Sequence, residues 1–435
     1  MKRSIFLCMA ILAFAAASFG QGADRRLGSW SGTLEFSDGR APVNLRIVEG
    51  GALLDLPDAE LYGLPSRSAE REGQSLSLVF YLGSDELTLR LGAVGPDSSV
   101  MGGECSYLVG TGSADASFSM KRVDAATAAS TAASEPYAAK GYDGAALPGE
   151  LIVPAGVARP PLVILHAGLG VADRDGNTYM MPGRHDALGQ LAEALRARGI
   201  ASYRYDKRGA GEAAWLFATE EDRSIEAWIR DLEAIASGFR ESGYYSGVWL
   251  FGLNDGAVVA AAAANGLSAG TPPAGLIVAC ASAEGQLDAY RKAVSRAPDD
   301  EKSEGEAIIA ALLAGRRVDA PSDFYAAAFR PGFQPYLIEA FRRDLRTELA
   351  RYAGPCLLVQ GNMDMQATLA DLLALRAARP DALAAMPARM NHVLKDVSQD
   401  VEDNRAAFAD PSYPVSAELV DDIAAFVAGT FVGIP

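Results

Sequence analysis

The residues with chemistry to offer lie far apart in this 435-residue chain. Asn254 is the middle of Gly252-Leu253-Asn254-Asp255-Gly256, between the apolar run VWLF and the alanine-rich run AVVAAAAA. Asp364 follows the apolar run PCLLVQG, and His392 lies in MNHVLK. A strand, a tight glycine-flanked turn and a helix together lift a nucleophile into a cleft, and a carboxylate and then a histidine further on supply an orienting acid and a general base. That order of residues suits acyl transfer, but the central residue should be serine. A carboxamide nitrogen is a very poor nucleophile and carries no proton that a histidine removes at neutral pH. Asparagine does suit the turn itself, because it tolerates left-handed backbone better than other residues with side chains.

Around these three stand further candidates. After PLVIL comes His166-Ala167-Gly168-Leu169-Gly170, whose amide at Gly168 or Leu169 is placed to supply one half of an oxyanion hole. The amide of Asp255 would supply the other half, and in that register the Asp255 side chain is expected to point elsewhere. Cys280 and Ser282 close the apolar run AGLIVACAS near the same strand ends, where a cysteine reads as core. Deamidation of Asn254 to an aspartate nucleophile is chemically open. The chain has three histidines, widely separated, and no paired cysteines, so no metal and no cofactor is expected. Asp173-Arg174-Asp175-Gly176-Asn177 resembles the start of a calcium loop, but the place of the twelfth ligand is Arg184, so it reads as a loop beside the oxyanion half. His185 is expected to be solvated. Asp206-Lys207-Arg208-Gly209 reads as a loop-pinning cluster. Tyr325, Phe329, Phe333 and Tyr336 either line an apolar acyl pocket or pack helices onto the core.

These residues need a scaffold, and the chain from residue 139 to 435 provides one. Apolar strand-like runs alternate there with amphipathic helical ones, which implies an α/β fold: a doubly wound, mostly parallel sheet with helices on both faces. The working residues of such a sheet sit on loops at the carboxyl ends of its strands. The stretch 283–353 is too long for a simple crossover and reads as a helical cap. Residues 24–123 carry short alternating segments such as SLSLVFYL and ELTLRL, the pattern of a small antiparallel β domain. Residues 124–138 read as a linker. Residues 1–23 read as a signal peptide, with Lys2 and Arg3, a short apolar run, and small residues around Ser18 and Gly20. Cleavage is expected near Gly20 or Ala23, and Cys8 lacks the pattern of a lipid anchor, so the expectation is an exported protein, periplasmic or extracellular. No later segment is long and apolar enough to span a bilayer. A formal net charge of −16 argues against nucleic acid and anionic lipid as partners. Cys105, Cys280 and Cys356 allow at most one disulfide.

Six pieces, LHAGLGVADRDGN, RGIASYRYDKRGAGEA, VWLFGLNDGA, FQPYLIEAFRRDL, LLVQGNMDMQ and MNHVLK, together resemble the secreted bacterial α/β-hydrolases with a serine-aminopeptidase-like core and an extra N-terminal β domain, a group that includes carboxylesterases. They are spread over residues 160 to 430. The resemblance implies an α/β-hydrolase fold, a small-molecule ester, amide or carboxylate as ligand, and a serine–aspartate–histidine triad that maps onto Asn254, Asp364 and His392. The chain departs from that pattern at Asn254, and again at Ala167, where a glycine usually follows the histidine. Two expectations follow. In one, the hydrolase is impaired or inactive and keeps its ligand cleft; in the other, it is active through a nonstandard nucleophile or mechanism with Asp364 and His392.

Overall fold

The computed structural model describes residues 24–433 apart from 38, 83, 95–98, 110–111, 124–133 and 169. The expected signal peptide, most of the expected linker and Leu169 lie outside the described residues. The chain divides into two compact units. One comprises residues through Gly51 together with Arg67–Asp124, and the other comprises Ala52–Ser66 together with Ala125–Pro435.

The N-terminal strands are β1 (Gly28–Phe36), β2 (Arg40–Val48), β3 (Gly51–Leu56), β4 (Leu61–Pro65), β5 (Ser68–Glu72), β6 (Ser75–Leu82), β7 (Asp85–Val94), β8 (Val100–Val109) and β9 (Gly112–Val123). They form an antiparallel nine-stranded sheet in the order β4-β3-β2-β1-β9-β8-β7-β6-β5. Alternation sets the register. Leu76, Leu78 and Phe80 of β6 face Leu91, Leu89 and Leu87 of β7, and all six are buried. A slip by one residue would turn that whole set to solvent.

The second unit carries an eight-stranded sheet in the order β10-β11-β13-β12-β14-β15-β16-β17. Its strands are β10 (Ser134–Lys140), β11 (Ala146–Ile152), β12 (Leu162–His166), β13 (Ala201–Tyr205), β14 (Val248–Leu253), β15 (Gly275–Ala279), β16 (Cys356–Val359) and β17 (Leu383–Ala385). The pairs β10/β11 and β11/β13 are antiparallel and the rest are parallel. Residues 134–138, expected in the linker, belong to β10. That strand lies at the sheet edge and only its Ala139 is buried, so it lacks the apolar signature of its neighbours.

The central strands are apolar at consecutive positions because both faces are covered. Leu162, Ile164, Leu250, Leu276 and Val278 join one core, while Val163, Leu165, Phe251, Ile277 and Ala279 join the other. Burying each of these side chains other than Ala279 is worth about 1.5–3 kcal/mol against exposure. Helices α1 (Ala187–Ala197) and α10 (Ala417–Val427) cover one face, and α2 (Ile225–Glu241) and α3 (Gly256–Leu267) cover the other. Helix α3 is the alanine-rich run. It is packed by α2, β14, β15 and a later helix, so small side chains on nearly every side allow close approach.

The stretch read as a cap contains α4 (Gln286–Ser295), α5 (Asp299–Leu313), α6 (Gln334–Ala340) and α7 (Leu345–Arg351). The last of these packs on α3, where the Asn265 amide donates to the Glu348 carbonyl at 2.9 Å. Tyr325, Phe329 and Tyr336 are buried in this layer, with Tyr325 and Phe329 ring centroids 5.5 Å apart and Phe333 stacked on Tyr336 at 4.8 Å. These aromatics pack the helices. Helices α8 (Leu369–Ala378) and α9 (Val401–Ala406) complete the unit. Among the described residues no helix is long and apolar enough to cross a membrane.

Candidate active site

The chain turns from β14 into α3 through Asn254, whose φ is +52°. The Asn254 N–H donates to the Ala279 carbonyl at 2.8 Å, and its own carbonyl accepts from Ala257 N at 3.0 Å. The flanking glycines are required by close approach. A Cβ on Gly252 would stand 2.5 Å from Ala257 Cα, and one on Gly256 would stand 2.4 Å from the Ala167 carbonyl oxygen. Residues that preserve a left-handed turn under such crowding keep the shape of a nucleophile elbow. The carboxamide of Asn254 has no hydrogen-bond partner among the described residues.

Two strands away, at the end of β16, Asp364 is tightly held. Its Oδ1 accepts from Gln366 N at 2.7 Å and Ala367 N at 3.0 Å, and its Oδ2 accepts from Gln360 Nε2 at 2.9 Å. His392 Nδ1 lies 2.9 Å from Oδ2 and 3.1 Å from Oδ1. A carboxylate only accepts, so in the neutral ring Nδ1 carries the proton and Nε2 presents its lone pair, the form of a general base. The turn that carries His392 is built by Asn391, whose Oδ1 accepts from Val393 N at 3.1 Å and Lys395 N at 2.9 Å, with Leu394 at φ +63°. Lys395 is buried, and its Nζ donates to the Tyr413 carbonyl at 2.8 Å. The Phe408 ring stacks on His392 with centroids 6.5 Å apart.

Gly168 sits beside the elbow, its hypothetical Cβ 3.9 Å from Asn254 Cβ. The N–H groups of Asp255 and Gly256, at the first turn of α3, have no backbone partner among the described residues. Together these amides are donors of the kind an oxyanion hole needs. Leu169, the other candidate of that loop, lies outside the described residues. His166 is fully buried with Nδ1 2.8 Å from the Tyr205 hydroxyl, and burial together with the Lys207 charge holds it neutral, well below the usual histidine range.

Asp255 departs from its expected orientation. It lines the same cleft as Asn254, a small space partly open to solvent whose walls include Ile225, Val258 and Ser282 from the core and Gln286, Ala340 and Arg343 from the cap stretch. Burial pushes its carboxyl above the usual range, and neighbouring His392 offsets part of the rise. Its carboxylate is close enough to His392 and to Tyr336 of α6 for each to feel its charge.

The alternative nucleophiles fare as follows. Cys280 is fully buried at φ +51°, its Sγ 3.8 Å from the Asn391 carbonyl, and burial pushes its thiol well up. A buried protonated thiol packed behind the histidine turn is poorly placed to attack. The Ser282 hydroxyl donates to Asp371 at 3.2 Å, away from His392 as a base.

The loop behind the oxyanion half is a charged lattice. Arg174 reaches Asp206 at 2.5 Å and Glu212 at 2.6 Å, and Arg204 reaches Asp175 at 2.7 Å and Glu150 at 2.6 Å. Asp173 Oδ1 caps Asp175 N and Asn177 N, both at 2.9 Å. Lys207 is buried and donates to the Ala172 carbonyl at 2.9 Å, while Arg208 binds Asp231 at 2.6 Å, so the Asp206–Gly209 stretch pins loops. His185 is buried rather than solvated. Its Nδ1 accepts from Ala187 N at 3.2 Å, and burial lowers it to about 4. Among the described residues no group of three or more histidine, cysteine or acidic side chains is placed to hold a metal ion.

Strand order, elbow, acid turn and histidine turn thus stand in one arrangement. This is an α/β-hydrolase fold. A sequence profile of the family described as serine aminopeptidase, S33, matches residues 178–300. No curated protein matches the chain. Similar solved structures include Est1E from Butyrivibrio proteoclasticus, 14% identical with a TM-score of 0.44, covering 68% of this chain and 99% of that one. Another is a puromycin-hydrolyzing peptidase of Mycobacterium tuberculosis, 14% identical with a TM-score of 0.45, covering 93% of this chain and 54% of that one. A third is a bromoperoxidase from Bacillus anthracis, 17% identical with a TM-score of 0.40, covering 68% and 100%. Within the α/β-hydrolase fold, the sequence reading missed Gln360 and Asn391 as positioning residues. Their signal was faint: each is an amide next to a motif residue, one closing a strand and one preceding the histidine.

Proposed function

We propose that this is an exported α/β-hydrolase-fold protein whose cleft binds a small ester, amide or carboxylate and whose acyl-enzyme chemistry has been lost. The supporting observation is Asn254, seated in an intact left-handed elbow while the Asp364–His392 pair is fully assembled. In this reading Asn254 holds the nucleophile position and donates a hydrogen bond to the ligand. Asp364 orients His392, and the amides at Asp255 and Gly168 meet the ligand's carbonyl or carboxylate oxygen. Loss of a triad nucleophile costs on the order of a million-fold in turnover and leaves roughly a thousand-fold over water. The mature protein is assayed on short-chain aryl esters beside Asn254→Ser, with a fluorophosphonate probe. The expected result is no covalent labelling of the wild type and both labelling and turnover in the serine variant. Esterase-like turnover by the wild type, abolished by His392→Ala, would overturn the inactive reading.

The preserved dyad favours a second reading, in which the protein hydrolyses esters or amides with water as the direct nucleophile. His392 Nε2 takes a proton from water, the hydroxide oxygen bonds to the carbonyl carbon, and the leaving alcohol or amine departs with the proton that His392 returns. That route forms no acyl-enzyme, so it predicts His392-dependent turnover without labelling.

A further inference from the structure

We infer that the cleft beside the elbow takes a ligand whose head is an organic cation on a small apolar body, and that Asp255 selects it. The inference rests on the reading that this cleft binds a ligand. An aspartate at the start of a helix turns its carboxylate onto the helix's own N–H groups when its backbone is extended, and Asp255 is already in helical backbone. Asp255 occupies that place before α3 and makes no such bond. Nor does its carboxylate form a hydrogen bond or ion pair with any other described residue.

The other charges of the cleft are matched. Arg343 is held by Glu226 at 2.6 Å and Glu348 at 3.1 Å. Glu284 is paired with Lys292 at 3.2 Å. Asp255 is therefore the charged lining residue without a hydrogen bond or ion pair among the described residues, its charge offset only in part by nearby His392, and Ile225, Val258, Ala340 and Leu345 give the space around it an apolar character. A half-buried carboxylate without partners carries a desolvation penalty that a ligand cation relieves, that a neutral head relieves only in part, and that an anion makes worse. Burial raises the Asp255 carboxyl in keeping with that penalty. The overall charge of −16 also draws cations toward the protein.

The test compares 2-phenylethylammonium with 2-phenylethanol, which share the apolar body and differ in the head, by titration calorimetry on the full chain. The ammonium is expected to bind about tenfold or more tighter than the alcohol, the range of a charge-assisted hydrogen bond. Asp255→Asn should remove that preference and Asp255→Glu should keep it, which controls for a misfolded amide variant. The ammonium should also protect Asn254→Ser from fluorophosphonate labelling, which places it in this cleft. Equal affinity for the two probes, a preference that survives Asp255→Asn, binding of neither probe, or no protection would each overturn the inference. Labelling of Asn254→Ser is read separately, so a cleft that labels without cation preference sinks this inference alone and leaves the proposed function standing.

Discussion

Asp364 accepts three N–H bonds in addition to that of His392, whereas the Asn254 carboxamide and the Asp255 carboxylate, two strands away, accept none from the described residues. On the histidine side every contact serves to fix one geometry, down to a left-handed Leu394 and a left-handed Cys280 packed behind the turn. Strained residues of that kind persist when their surroundings over-determine them. On the elbow side the backbone is equally fixed, by glycines that admit no Cβ, but the side chains it presents are unspent. Under the proposed function, rigidity without a nucleophile suits recognition, because a preorganised base and two polar groups without hydrogen-bond partners bind without reordering.

The largest effect expected on this contrast is that of Asn254→Ser. If the histidine side is a working acid–base pair, a single hydroxyl should raise ester turnover by up to about a million-fold and allow stoichiometric fluorophosphonate labelling, measured by intact mass. An unlabelled serine variant would break the comparison, because the braced side would then be architecture only. Next, Asp364→Asn in the serine background should lower kcat on the order of ten-thousand-fold, since the amide removes the charge that stabilises the imidazolium and misorients the ring. Gly256→Val tests the backbone shared by both readings. Its Cβ would meet the Ala167 carbonyl, and urea unfolding should show a loss of about 3 kcal/mol or failure to fold.

Smaller effects separate the two sides further. Asn391→Ala leaves the Val393 and Lys395 N–H groups without their acceptor and should cost about 1–3 kcal/mol in unfolding free energy. Asp255→Asn should go the other way. The folded carboxyl binds its proton more tightly than the unfolded one, so the wild type loses stability as pH rises from the usual 3.8 through the raised folded value. The amide variant escapes that loss, and melting curves should show it equal or more stable by up to about 1 kcal/mol above that window, with no advantage at lower pH. A destabilised amide variant at neutral pH would mean that Asp255 has a protein partner after all.

Much of the scaffold was legible because burial on both faces writes continuous apolar runs, as in PLVIL and GLIVA, and burial on one face writes alternation, as in SLSLVFYL. Strand β10 was not, since an edge strand with one buried alanine resembles a linker. The separate cap helices were not, because their aromatics serve packing and their order in space depends on what they cover. At the site, the elbow, acid turn and histidine turn were legible from order and glycine spacing. The bracing by Gln360 and Asn391 was not, because an amide has no pattern until its acceptors are placed. His185 reads as solvated from its loop position, yet the loop folds back and buries it.

The sequence by itself determined that the elbow has no hydroxyl, that asparagine would keep its left-handed turn, and that a carboxylate and a histidine follow in the order a base requires. Those are matters of residue identity, local backbone preference and chain order, and they survive any packing. Only the tertiary structure decided that Asp364 and His392 are within hydrogen-bonding distance, that Cys280 is sealed behind them, and that Asp255 lines the cleft with no hydrogen bond or ion pair to its carboxylate among the described residues. A side chain's partners depend on which distant segments the fold brings beside it, and here those segments are the cap stretch and the turn around His392, far from residue 255 in sequence.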